Sequence, residues 1–172
     1  MDEKVGITDR LGVAEPLRLV SVVGGSSVDD VVAGAAHRLG GLLAGEGFAV
    51  VTGGRTGVAE AVCRGAVENG GLTIGLLPST DPGTANPWVL VRIPTGLGDA
   101  RNSLVAAAGE VVVAFPGGWG TRSEVALAGV HGRPVIVVGD WLEPDTGSRF
   151  VRVPDPEAAL VAVRRVLATR GD

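Results

Sequence analysis

Lysine is almost missing from this chain. Lys4 is the only one, and the other fourteen of its fifteen cationic residues are arginines. A single lysine near the start, outside any glycine-rich turn, excludes a Walker A phosphate loop, which places its lysine directly after the glycines. It also leaves a pyridoxal enzyme without a suitable Schiff-base amine. Cysteine is as scarce. Cys63 stands alone, so no intrachain disulfide and no thiolate metal cluster can form. His37 and His131, the two histidines, lie far apart in sequence, and no metal site is expected. Tyrosine is absent, and three Phe with three Trp make an aromatic share of 3%, so the core must be aliphatic. A basic excess is lacking too. The net charge of −4 argues against a nucleic-acid partner. It leaves room for a small phosphate ligand, because backbone amides supply positive potential locally. No apolar run approaches the roughly 18 residues of a membrane span, and Met1-Asp2-Glu3-Lys4 does not begin an apolar segment of the signal-peptide kind. The expectation is a cytoplasmic protein with no membrane partner.

What is abundant is glycine, 28 residues, and small or branched aliphatics within an apolar share of 45%. A chain of 172 residues is most simply one domain, able to bury about 70% of the surface its unfolded form exposes. Residues 1–16 are polar, end at Pro16 and read as a flexible tail, and 17–172 read as the domain. Within the domain, short β-branched runs alternate with helical periodicity. Strands are expected at 17–23, 48–52, 73–77, 88–93, 110–115 and 134–138, with an edge strand at 150–153. Between them fall five helices: one capped by Ser27 and running to about Ala44, one at 58–68, one capped by Asp99 and running through Ala108, one over 125–130, and one at 156–169. The alternation implies an α/β, Rossmann-like, three-layer α/β/α fold with a mainly parallel sheet of about seven strands. Glycine-rich turns follow the first, second, fourth and fifth strands, at the carboxyl edge where such sheets bind ligands.

The most informative stretch is Pro116-Gly117-Gly118-Trp119-Gly120-Thr121-Arg122-Ser123-Glu124. It follows the buried run 110–115 and opens a helix. Its glycines allow positive φ and close approach of a ligand to the amides, and a helix start adds unpaired N–H groups with a partial positive charge. Together Gly117, Gly118, Gly120 and Thr121 form a phosphate-binding turn. Gly24, Gly25 and Ser26 after the first strand, and Gly53 and Gly54 after the second, add further ligand-facing turns, although Gly24-Gly25-Ser26-Ser27 lacks the dinucleotide-binding spacing. Trp119 either stacks on a planar ring or packs against another subunit.

Two readings stand for Glu124. Thr121 and Glu124 have the spacing of a capping box; alternatively the carboxyl acts as an acid, a base or a stabiliser of a cationic sugar transition state. Arg101 suits forked bonding to a phosphate or carboxylate, and as a cation near a helix N-terminus it opposes the dipole by about 0.3–1 kcal/mol. Asn102 is a base or sugar contact or a cap residue. Arg55 reaches the same cleft or is solvated, while Glu60 is a first-turn dipole partner. His37, His131 and Cys63 read as structural.

The same residues resemble a known family. Pro116 to Glu124 is similar to the PGGxGTxxE motif of the Lonely Guy (LOG) family. Val22-Val23-Gly24-Gly25, Val51-Thr52-Gly53-Gly54, Gly57-Val58-Ala59-Glu60-Ala61, Ala85-Asn86-Pro87 and Pro94-Thr95-Gly96-Leu97-Gly98-Asp99-Ala100-Arg101-Asn102 extend the likeness over about 19–138. These last segments resemble the branch that contains molybdenum cofactor carrier proteins more than the cytokinin-activating enzymes. The resemblance implies a Rossmann-like fold, a homodimer or homotetramer, and a phosphorylated small-molecule ligand, either an AMP-like nucleotide or the molybdenum cofactor, with no further cofactor required. In the enzymes it implies cleavage of the N-glycosidic bond of a nucleoside 5′-monophosphate, with Arg101 and Glu124 as the catalytic pair. The enzymes usually carry Arg-Lys where this chain has Arg101-Asn102, which favours a binder over a phosphoribohydrolase.

Overall fold

The computed structural model describes residues 16–143 and 150–169. The expected tail, apart from Pro16, therefore lies outside the described residues. The seven strands are β1 (Leu19–Val23), β2 (Ala49–Thr52), β3 (Thr73–Leu77), β4 (Val91–Pro94), β5 (Val111–Ala114), β6 (Val135–Val138) and β7 (Phe150–Val153). They form one sheet in the order β4-β3-β2-β1-β5-β6-β7, and all six pairings are parallel. The α-helices are α1 (Asp30–Gly45), α2 (Val58–Glu68), α3 (Asn102–Ala108), α4 (Trp119–Val130) and α5 (Pro156–Ala168), with short 3-10 turns at Pro82–Thr84 and Gly98–Arg101.

Alternation along each buried strand builds two cores. Val20, Val22, Val111 and Val113 face α1, α2 and α5, while Val23, Val112 and Ala114 face α3 and α4. Ser21 is the polar exception on β1. It is fully buried, donates to the Val105 carbonyl at 2.6 Å and accepts from the Gly109 amide at 2.9 Å. Helices α1 and α2 cross in close contact because each offers a glycine there. A Cβ on Gly65 would collide with the His37 carbonyl oxygen, and one on Gly40 with the Val62 carbonyl oxygen.

Several element boundaries differ from expectation. Asp29, rather than Ser27, caps α1, accepting from the Val32 amide at 2.8 Å. The fourth strand starts three residues late. The Thr73 hydroxyl donates to the Trp88 carbonyl and accepts from the Leu90 amide, replacing ladder bonds with side-chain bonds. Asp99 caps no α-helix; it sits inside the 3-10 turn, and α3 begins directly afterwards at Asn102. Helix α4 begins six residues early, at Trp119.

The chain runs from β1 outward to β2, β3 and β4, then crosses back to place β5 on the other side of β1. The carboxyl ends of β1 and β5 therefore flank a topological switch point, the place where an open parallel sheet leaves a crevice.

Candidate functional site

Three turns meet at that crevice and are stitched by backbone bonds. The Gly25 amide donates to the Pro116 carbonyl at 2.9 Å, and the Val58 amide donates to the Gly25 carbonyl at 3.0 Å. Gly57, at φ 67°, lies so close to the Gly25 carbonyl that a Cβ would collide with it. Behind the second turn, buried Asn86 donates to the Arg55 carbonyl at 2.7 Å and accepts from the Trp88 amide. The resulting cleft has a volume of about 370 Å³, within the size range of small-molecule sites. The β1 turn contributes Gly24, Gly25 and Ser26 to its lining, and Gly53, Arg101, Asn102, Gly118, Gly120, Thr121 and Glu124 line it too.

The phosphate turn works differently from its sequence reading. Gly117, Gly118 and Gly120 are not among the positive-φ glycines. Gly117 is needed for packing, since its Cβ would lie 2.8 Å from the Gly25 amide nitrogen. At Gly118 and Gly120 a Cβ would meet no protein atom within 4 Å, so their bare faces widen the cleft. Gly118 is the N-cap of α4, and no side chain caps this helix. The capping-box reading of Thr121 and Glu124 is thereby overturned: Thr121 lies inside the first turn, and the Glu124 side chain points elsewhere. The first-turn amides of α4 keep the donor capacity and dipole that attract an anion.

Glu124 instead meets Arg101. The Arg101 Nη1 donates to Glu124 Oε1 at 3.3 Å, with side-chain exposures of 13% and 9%. Burial pushes the Glu124 carboxyl up to about 7, opposed by the Arg101 charge. Burial also lowers Arg101 from its ordinary value; Glu124 and Asp99 oppose this, and Arg55 adds to it. The Arg101 Nε is buried without a hydrogen-bond partner, and the guanidinium packs on Gly53, where a Cβ would stand 2.5 Å from Nη1. One rung away, Asn102 Nδ2 donates to Ser123 Oγ at 3.0 Å, and Ser123 Oγ donates to the Gly120 carbonyl at 2.7 Å. Adjacent pairs 101–124 and 102–123 thus fix α3 against the first turns of α4. The result is a buried, incompletely bonded cation facing uncapped amides across a cleft, with a near-neutral carboxyl on its floor. Such a set has the chemistry to hold a phosphate ester and one proton-transfer group.

Not every predicted site residue lines the cleft. Gly54, at φ 72°, shapes the β2 turn, and its amide donates to Thr52 Oγ1 at 3.0 Å. Trp119 lies at the first position of α4, 88% exposed, outside the cleft lining. Arg55 does line it, as do Thr56, Ala59 and Asp99, which sequence reasoning missed or used otherwise. Asp99, two residues before Arg101 and next to a glycine, carried a signal that the capping assignment obscured. Among the structural residues, His37 pairs with Glu68 at 2.6 Å and His131 with Ser103 at 2.8 Å. Cys63 is buried with its thiol pushed up to about 11 by burial, unsuited to act as a nucleophile.

Comparison with known proteins agrees with this architecture. The molybdenum cofactor binding protein of Rippkaea orientalis superposes with a TM-score of 0.83 at 33% identity, covering 90% of this chain and 99% of that one. The molybdenum cofactor carrier protein of Chlamydomonas reinhardtii superposes with a TM-score of 0.80 at 34% identity, with the same coverage of each chain. The cytokinin riboside 5′-monophosphate phosphoribohydrolase of Rhodococcoides fascians is 26% identical over 144 residues, covering 67% of this chain and 72% of that protein. The SLOG cluster4 family model matches residues 17–164. With that match covering most of its length, the chain belongs to the SLOG cluster4 family, within the LOG-like superfamily.

Proposed function

We propose that this protein binds a phosphorylated heterocyclic small molecule, the molybdenum cofactor or a nucleotide, and acts as its carrier in the cytoplasm. The observation that carries this reading is the pairing of uncapped α4 amides, opened by Gly118 and Gly120, with the buried Arg101 guanidinium. The phosphate sits on the amides and completes the bonding of Arg101. Two relatives whose names state molybdenum cofactor binding or carriage, at 33% and 34% identity, support the ligand class. Anaerobic calorimetry with the molybdenum cofactor and with AMP tests it. Binding of either, weakened at least tenfold in Arg101→Ala, is expected, and failure of both to bind overturns the proposal.

A second reading is favoured by one observation. Glu124 titrates near neutrality beside Arg101 in the cleft, as a general acid or base working at neutral pH requires. On this reading the protein is a phosphoribohydrolase that frees the base of a nucleoside 5′-monophosphate. Chromatography after incubation with AMP and N6-substituted analogues decides it: base release absent in Glu124→Gln supports catalysis, and no release above that variant disposes of it.

Self-association as a homodimer or homotetramer belongs to the same proposal. Trp119 and Val130 on α4 are 88% and 80% exposed. The two charged residues of that helix turn away from solvent, Arg122 over the Trp141 ring at 5.7 Å and Glu124 into the cleft. A surface helix with an uncharged outer face suits a subunit contact. Sedimentation at micromolar concentration checks it, and a monomeric mass contradicts it.

A further inference from the structure

A second pocket adjoins the cleft. This larger groove of about 580 Å³ runs between α1 and α2, and it shares Ser26 with the cleft. The first turn of α2 divides the two: Thr56 and Ala59 face the cleft, while Gly57 and Glu60 face the groove. Ser26 stands on the ridge between them, its carbonyl accepting from the Thr56 hydroxyl at 2.9 Å, so a ligand that reached both would cross over that bond.

An ion-paired cluster of half-exposed side chains lines the α2 side of the groove. Arg64 lies over the Trp88 indole at 5.7 Å from the ring centre and donates to Glu68 at 2.8 Å; Glu68 in turn pairs with His37 at 2.6 Å. These bonds hold an aromatic and a guanidinium plane in place, the kind of surface on which a heterocycle stacks. On the same face of α2, one turn before Arg64, the Glu60 carboxylate makes no side-chain hydrogen bond among the described residues and offers two acceptor oxygens to an exocyclic amine. The α1 side of the groove includes Gly34, exposed and mid-helix, where a Cβ would meet nothing within 4 Å. A glycine inside a helix costs about 0.5–1 kcal/mol against alanine, and no packing contact at this position accounts for it. The space it leaves lies in the groove.

We infer that the α1–α2 groove is the second half of an extended site, taking an amine-bearing heterocycle joined through a pyrophosphate to the group held in the cleft. The ligand class is then a dinucleotide-type molecule rather than a mononucleotide. This rests on the phosphate-cleft reading above and extends it.

The test compares AMP with P1,P2-di(adenosine) diphosphate, which shares the AMP half, by calorimetry on the full chain. The dinucleotide is expected to bind at least tenfold more tightly than AMP. Gly34→Leu fills the groove without touching the cleft and removes a glycine from a helix, so it folds. It is expected to abolish that gain while leaving AMP affinity within twofold. Glu60→Gln is expected to reduce dinucleotide affinity several-fold and AMP affinity not at all. A dinucleotide that binds no tighter than AMP, or a Gly34→Leu variant that keeps the gain, overturns the inference. If neither nucleotide binds while the molybdenum cofactor does, the groove inference falls and the cleft reading stands; if none of the three binds, both fall.

Discussion

Burial holds the Glu124 carboxyl up to about 7 in the folded chain, whereas an unfolded chain returns it to an ordinary value near 4.5. Between those two pH values the folded state binds the extra proton, so stability is fully present below about 4.5 and is lost as pH rises toward 7. The loss is on the order of 3 kcal/mol across that window. Glu124→Gln keeps the shape and removes the titration. Urea denaturation at pH 5 and pH 8 is expected to show a steeper fall for the wild type than for this variant, and equal falls would place the carboxyl in a wetter setting than its 9% exposure indicates. At the same scale, two glycines of one motif part company. Gly117→Ala forces a Cβ against Thr121 and the Gly25 amide and is expected to destabilise by about 1–3 kcal/mol. Gly120→Ala meets no protein atom and gains helix propensity, so stability stays level or rises by up to about 1 kcal/mol. Its methyl nevertheless enters the cleft, and AMP or molybdenum cofactor affinity is expected to fall at least tenfold. Thermal melts paired with calorimetry separate the two effects.

At the scale of elements, the α1–α2 contact and the α3–α4 contact are built by opposite means. Helices α1 and α2 meet through Gly40 and Gly65, backbone against backbone. Gly65→Ala leaves no room for its methyl beneath the His37 carbonyl, and a loss of about 1–3 kcal/mol is expected from overpacking, measurable as a lowered denaturation midpoint with an unchanged m-value. Helices α3 and α4 are instead joined by side chains, Arg101 to Glu124 and Asn102 to Ser123. Elements were largely legible in the sequence because each strand is a run of buried aliphatics such as Val111–Ala114 and each helix carries its own periodicity. One misplaced boundary was set by a polar side chain acting at a distance. Thr73 delays β4 by bonding Trp88 and Leu90, residues 15 and 17 positions away, and no local pattern announces that. Helix α4 was shortened in the sequence reading because three glycines within four residues resemble a loop, yet Trp119–Thr121 are helical without a side-chain cap, and Gly120 and Thr121 line the cleft.

Over the whole molecule, ligand binding and folding are linked. A ligand held only by the native cleft stabilises the fold by about 2.7 kcal/mol at a hundred times its Kd. For a chain of this size that raises the melting temperature by roughly 5–10 °C. A thermal-shift series with AMP and the molybdenum cofactor is expected to show this rise in the wild type and to lose it in Arg101→Ala; an equal rise in both would move the binding site away from Arg101.

The sequence by itself determined the layered fold. Parallel strands buried on both faces must be aliphatic throughout, and that pattern is local and readable. It also determined which turns are rich in glycine, and so where backbone amides are available. The tertiary structure alone decided the strand order, with β5 returned to the far side of β1. That crossover sets Arg101, before α3, against Glu124, on α4, across 23 positions of sequence. Burial of Glu124 there raises its carboxyl toward neutrality, against the lowering effect of Arg101. Desolvation depends on what surrounds a group in space, and neither capping-box spacing nor the identity of neighbouring residues carries that information.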